Sequence, residues 1–167
     1  MVSLRKHNIQ IGRLKTGTPP RLNKESIHWD LAKKAQGDRT PTPFSLFTKR
    51  PFLKKQEDCY MIRTNKCLHK VIHTNISQSA MFSGKVQGVG PRYCPSIEDK
   101  IFRFQENPSH LLFLEPEWSN SNQIYLNGFS TSMPRNIQEL ALMKIPGLEE
   151  VELIRPGYAI EYDYFPT

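Results

Sequence analysis

Prolines cut this chain into short pieces. Pro19-Pro20, Pro41, Pro43, Pro51 and Pro146 each fix φ and lack a backbone donor, so no helix runs through them and no central strand accommodates them. The stretches between them switch between helical and strand periods. Ile9 to Arg13 reads as a short strand that enters KTGTPPR, Lys15 to Arg21, as turn rather than helix. Residues 23–57 read as a basic excursion with one short helix after Ser26 and a strand at Phe44 to Phe47. Cys59 to Arg63 alternates as a strand does, and Asn65 can cap a helix through about Thr74. Ser96-Ile97-Glu98-Asp99 is a variant capping box. It predicts a helix to about Phe104 with Ile97, Ile101 and Phe104 on its buried face. Beyond it the pattern predicts a strand at Leu111 to Glu115, a hairpin around Asn127-Gly128 and a helix from Ile137 to Ile145 stopped by Pro146-Gly147. Strands at Val151 to Ile154 and Tyr158 to Tyr164 follow. Interleaving of this kind favours an α/β or mixed α+β layer architecture.

Composition narrows the classes. No apolar run in the 167 residues approaches a membrane span, and MVSLRKHNIQIGR holds no apolar stretch of an export leader. Three cysteines without a CxxC pair argue against a disulfide framework and a zinc site. A reducing, cytoplasmic setting without a membrane is therefore expected, and no metal is assigned. Charge is uneven: residues 1–70 carry 16 Lys and Arg against 5 Asp and Glu, whereas residues 71–167 carry 7 against 11. A basic half suits a polyanionic partner, and it equally suits a solvated surface that keeps a domain soluble.

The stretch GVGPRYCPSIEDKIFRF, Gly88 to Phe104, concentrates chemistry. A helix start offers free N–H groups and partial positive charge to an anion, Arg92 adds a full charge, and Gly88 and Gly90 permit close backbone approach. The spacing lacks the third glycine of a dinucleotide fingerprint, so an ordinary glycine turn before a capped helix is the other reading. Cys94 also has two readings: a thiolate stabilised by Arg92 and the helix start, or a small buried hydrophobe. Core packing is expected for Cys59 and Cys67. His69 and His73, at i and i+4, lack the Glu of HExxH and read as a solvated face. Gly128 to Ser132 misses the final glycine of GxSxG, and Glu115, Glu117, Glu161 and Asp163 read as strand-end solvation rather than an acid and base pair.

Six ordered stretches carry a resemblance: GRLKTGTPPR (Gly12 to Arg21), DCY (Asp58 to Tyr60), GPRYCPSIEDK with the following RF (Gly90 to Phe104), LEPE (Leu114 to Glu117), NGFSTSMP (Asn127 to Pro134) and RPGYAIEYDYF (Arg155 to Phe165). Together they closely resemble the MnmG (GidA) family, flavoproteins that make 5-carboxymethylaminomethyl uridine at the wobble position of tRNA. The resemblance implies a middle fragment: residues 1–22 ending one segment of a Rossmann-like FAD-binding domain, 23–109 an insertion domain that contacts NAD, and 110–167 returning to the FAD domain. It implies FAD held mainly outside this stretch, NAD(H) as reductant and methylenetetrahydrofolate as one-carbon donor. A GTPase partner of the MnmE type and a homodimer of the full-length protein are also implied.

The same resemblance assigns the NAD segment to Gly90, Pro91, Arg92, Tyr93, Cys94, Pro95, Ser96, Ile97, Glu98, Asp99, Lys100, Ile101, Phe102, Arg103 and Phe104. It makes Cys94 the candidate catalytic residue. Lys49, Arg50, Lys54 and Lys55 are the candidate RNA-facing cations. A non-enzymatic RNA-binding or assembly module derived from the family is the alternative function.

Overall fold

A computed structural model describes residues 2–52, 55–86, 88–91 and 95–166. The chain runs α1 (Val2–Arg5), β1 (Gly12–Gly17), β2 (Arg21–Asn23), two 3-10 turns at Lys24–Ser26 and Trp29–Leu31, β3 (Lys33–Ala35) and β4 (Cys59–Arg63). It continues through α2 (Lys66–Thr74), a third 3-10 turn at Ile76–Gln78, α3 (Ile97–Arg103), β5 (Leu111–Pro116), β6 (Gln123–Asn127), α4 (Arg135–Leu142), β7 (Leu153–Arg155) and β8 (Ala159–Tyr164). Six strands form one antiparallel sheet in the order β3-β4-β5-β6-β2-β7. A separate ribbon pairs β1 with β8 antiparallel, Gly12 opposite Tyr164 and Gly17 opposite Ala159. The class is mixed helix and sheet.

Period-2 alternation explains how the sheet buries one face. Ile62 stands opposite Leu112, Leu114 opposite Leu126, and Leu22 opposite both Ile124 and Leu153. All seven are buried in the core. Leu68 and Ile72 of α2, Ile97 and Ile101 of α3, and Ile137, Ala141 and Leu142 of α4 belong to the same cluster. Each fully buried Leu or Ile contributes about 1.5–3 kcal/mol of apolar transfer. The position expected to divide two domains, 109/110, falls between α3 and β5, and strands from both sides of it share the sheet.

Local signals start α2 and α3 where the sequence places them, whereas α4 runs Arg135–Leu142 instead of Ile137 to Ile145. The Asn65 side chain accepts from the Leu68 amide at 2.9 Å. Ser96 Oγ accepts from the Asp99 amide at 3.1 Å while Asp99 Oδ2 accepts from the Ser96 amide at 3.2 Å, a complete capping box.

Other expectations need correction. β1 extends to Gly17 through what read as turn, because β8 supplies a partner along its length. Phe44 to Phe47 forms no strand. Ser45 instead holds a turn, accepting from the Phe47 amide through Oγ and from the Thr48 amide through its carbonyl. The β5–β6 hairpin turns between Pro116 and Gln123, where Asn120 takes the positive φ, and Gly128 at φ +92° instead releases the chain from β6. Phe104 is 46% exposed, because α3 ends at Arg103 and Phe104 leaves the helical path. Glu98 is buried instead. Cys67, expected in the core, is exposed on α2, while Cys59 is half-buried.

Candidate functional site

A cavity of about 350 Å³ opens between β1, the 81–91 segment and α3. Lys15, Phe82, Val89, Gly90, Pro91, Pro95, Asp99 and Arg103 are among its lining residues. Val89 forms a parallel bridge to Leu14: the Lys15 amide donates to the Val89 carbonyl at 3.1 Å, and the Val89 amide to the Arg13 carbonyl at 3.3 Å. The two glycines of the motif therefore do different work. Gly88 has φ +111°, and a Cβ there would lie 2.7 Å from the Arg13 carbonyl oxygen, so it serves the approach to β1. Gly90 faces open space, its nearest neighbour being the Lys15 oxygen at 4.0 Å.

Positive charge reaches the cavity from two sides. Lys15 Nζ donates to the Met81 carbonyl at 2.9 Å and the Val86 carbonyl at 3.4 Å, which fastens the 81–86 turn to β1. An ammonium has three donors, so this geometry leaves one for another acceptor. Arg103 lies 3.8 Å from Asp99 with most of its side chain exposed.

The start of α3 is not a free anion site. The Ile97 amide donates to the Ser130 carbonyl at 2.7 Å, the Asp99 amide to Ser96 Oγ and the Lys100 amide to the Ser96 carbonyl. The Ile97, Asp99 and Lys100 amides at this helix start are thus spent on protein acceptors. Among the described residues of the segment, the surface offered to a ligand comes from Gly90, Pro91, Pro95, Asp99 and Arg103. Arg92, Tyr93 and Cys94 lie outside the described residues.

Behind that wall, Glu98 is wholly buried. Its Oε1 accepts from Ser79 Oγ at 3.2 Å, Thr131 Oγ1 at 3.0 Å and the Ser132 amide at 3.0 Å, while Oε2 has no partner among the described residues. Burial pushes this carboxyl above its usual range, against the opposing pull of the donors. Within the near-match to GxSxG, the Ser130 carbonyl accepts from the Ile97 amide, and Thr131 and Ser132 serve Glu98.

The remaining candidates resolve into structural pairs. Arg13 binds both Glu161 and Asp163 across the ribbon, and Arg21 grips Glu117 through Nε at 2.8 Å and Nη2 at 2.9 Å, which holds that carboxyl below its usual range. Glu115 accepts from Asn127 at 3.0 Å. His69 shares a 2.7 Å hydrogen bond with Thr64, and burial lowers its pKa; His73 stacks on Phe102 with ring centroids 5.0 Å apart. Among the described residues no three His, Cys, Asp or Glu side chains converge as a metal site. Lys49, Arg50 and Lys55 are exposed, and Lys54 lies outside the described residues. Lys15, Phe82 and Val89 were absent from the expected site. Lys15 and Val89 carried a signal, their places within GRLKTGTPPR and GVGPRYC.

All of residues 1–167 match the protein family described as Glucose inhibited division protein A. The chain belongs to this family. It is 53% identical over 163 residues to the tRNA uridine 5-carboxymethylaminomethyl modification enzyme MnmG of Chlorobium phaeobacteroides, covering 98% of this chain and 26% of that protein. The protein of the same name from Buchnera aphidicola is 52% identical, again over 98% of this chain and 26% of its own length. Among solved structures, the form I crystal of Aquifex aeolicus GidA superposes with a TM-score of 0.86 at 44% identity, covering 97% of this chain and 28% of that one. This GidA-family chain thus spans about a quarter of the length of the relatives it matches. Among the described residues no helix is long and apolar enough to cross a membrane.

Proposed function

We propose that this chain is the cavity-bearing part of a flavoenzyme that converts the wobble uridine of tRNA to 5-carboxymethylaminomethyl uridine. The observation that carries the reading is identity at more than half of the aligned positions, across 98% of the chain, with a protein named as a tRNA uridine 5-carboxymethylaminomethyl modification enzyme.

The residues present fit a nicotinamide nucleotide better than a flavin. Among the described residues β1 leads through Gly17 to Thr18-Pro19-Pro20 and not into a helix, and the Thr64-Asn65 turn from β4 into α2 holds no glycine, so neither offers the glycine-rich turn that receives a flavin diphosphate. FAD is therefore given no residue of this chain. The 350 Å³ cavity suits part of NAD(H): Arg103 and the remaining donor of Lys15 would meet phosphate oxygens, Gly90 leaves room against the backbone, and Phe82 offers a ring face. A nicotinamide nucleotide bound there supplies a hydride. Arg92 would add charge for the phosphates, and Cys94 would act as the nucleophile toward the substrate. Asp99, fixed by the capping box, keeps the cavity wall in place from α3.

Methylenetetrahydrofolate as one-carbon donor, an MnmE-type GTPase partner, a homodimer and a cytoplasmic setting belong to the same proposal, as does the division at 22/23 and 109/110 into FAD-domain and insertion segments. The test is complementation. The full-length protein, expressed in cells lacking their own modifying enzyme, is expected to restore 5-carboxymethylaminomethyl uridine to tRNA, read by mass spectrometry of nucleosides. Protein that accumulates without restoring the nucleoside would overturn the reading.

A further inference from the structure

The β3–β4 connection leaves the sheet as a closed-neck loop. Ala35 pairs with Cys59, Lys34 Nζ meets Asp58 at 2.7 Å, and Gln56 Nε2 donates to the Asp38 carbonyl at 2.7 Å. Beyond this neck the Ser45 turn throws three apolar side chains outward: Phe44 is 108% exposed, Leu46 94% and Phe47 96%. Single exposed apolar residues are ordinary, but three within four positions, each almost wholly bare, mark a surface that another molecule covers. Between Asp38 and Glu57 the sequence holds Arg39, Lys49, Arg50, Lys54 and Lys55 and no acidic residue.

We propose that this loop is a stacking platform for an unpaired stretch of RNA, with Phe44 and Phe47 receiving base faces and Lys49, Arg50 and Lys55 meeting the flanking phosphates. Interleaved aromatics and cations on a positive strip are what single-stranded nucleic acid needs, because every base has a π-face and every linkage a charge. Paired RNA keeps its base faces stacked inside the helix and would leave the rings without a partner. A protein partner fits less well, since interface cores are depleted in lysine. The inference rests on the tRNA reading above and adds how that RNA is held: with the target base and its neighbours unstacked.

The test uses the full-length protein and an anticodon stem-loop RNA, with a fully paired duplex as comparison. Phe44→Ala and Phe47→Ala should each weaken stem-loop binding by between about fivefold and a hundredfold without changing the slope of log K against log salt. Phe47→Trp should retain it, and neither alanine variant should alter duplex binding. Lys49, Arg50 and Lys55 changed together to alanine should make the slope shallower by about 2, at ~0.7 for each single-strand phosphate no longer neutralised. Stem-loop affinity unchanged in the Phe44→Ala, Phe47→Ala double variant, beside a wild type that binds, would overturn the platform and leave the tRNA reading standing. Unchanged RNA affinity with an altered oligomeric state would also overturn it, assigning the loop to a protein interface. A wild type that binds no RNA would overturn both readings.

Discussion

The Ser132 amide donates to Glu98 Oε1 at 3.0 Å, joining α3 to the turn after β6 through a carboxyl that no solvent reaches. Ser79 adds a third element, its hydroxyl bonding both Glu98 and Ser132. The cavity wall formed by Pro95 and Asp99 therefore rests on a buried polar knot.

Removing the knot should be costly. Glu98→Ala would strand the Ser79, Thr131 and Ser132 donors beside a hole, a loss of about 3 kcal/mol. Glu98→Gln keeps an acceptor and the volume, and should cost about 1 kcal/mol or less. Urea denaturation of the two variants checks the difference, and equal losses would refute the knot.

Glu98 should also give stability a pH dependence. Burial raises its folded-state pKa above the unfolded carboxyl value, so the folded state favours the protonated form. The stabilisation is complete below the unfolded value of about 4.3 and is lost as pH rises through the raised folded value. The difference in unfolding free energy between wild type and Glu98→Gln should therefore shift against the wild type as pH rises from about 4. A difference that stays flat would show the carboxyl to be unperturbed.

The two motif glycines should respond oppositely to a methyl group. Gly88→Ala meets both a positive φ and the Arg13 carbonyl, and should lose about 1–3 kcal/mol. Gly90→Ala points into open cavity and should change stability by about 0.5 kcal/mol at most, while narrowing the space for a nucleotide. Thermal melts of both, with NADH titration of the Gly90 variant, test the assignment.

Gln138 should be as important to the second ribbon strand as any apolar residue. Fully buried, it donates to the Met133 carbonyl at 2.7 Å and the Gly157 carbonyl at 2.8 Å, and accepts from the Gly157 amide at 2.8 Å. Gln138→Ala leaves these backbone groups unpaired and should cost about 2–4 kcal/mol. Hydrogen exchange should quicken first at Gly157 and Tyr158, at the entry to β8; protection unchanged there would contradict the role.

In the full-length protein, Cys94→Ser should separate chemistry from packing. Serine is close in size and far less nucleophilic, so flavin reduction by NADH should persist while tRNA modification collapses. Modification at a near-normal rate would exclude a nucleophilic Cys94.

Local pattern settles what depends on neighbours a few residues away. Asn65 and Ser96 cap their helices through amides three positions on, and the alternation in Leu111 to Pro116 sends Leu112 and Leu114 to the core. The family was equally legible, because its motifs are ordered strings that need no folding to be read. Contacts between distant parts of the chain set the rest. Whether Gly88 serves a ligand or a strand depends on Arg13, 75 positions earlier, and Glu98 is drawn inside by donors 19, 33 and 34 residues away. The same is true of β2, whose three residues are held between β6 and β7, and of Phe44 to Phe47, which form no strand. Local pattern fixes which conformation a segment prefers; which surface it meets is set by the chain's distant return, and burial, hydrogen bonding and exposure follow from that meeting.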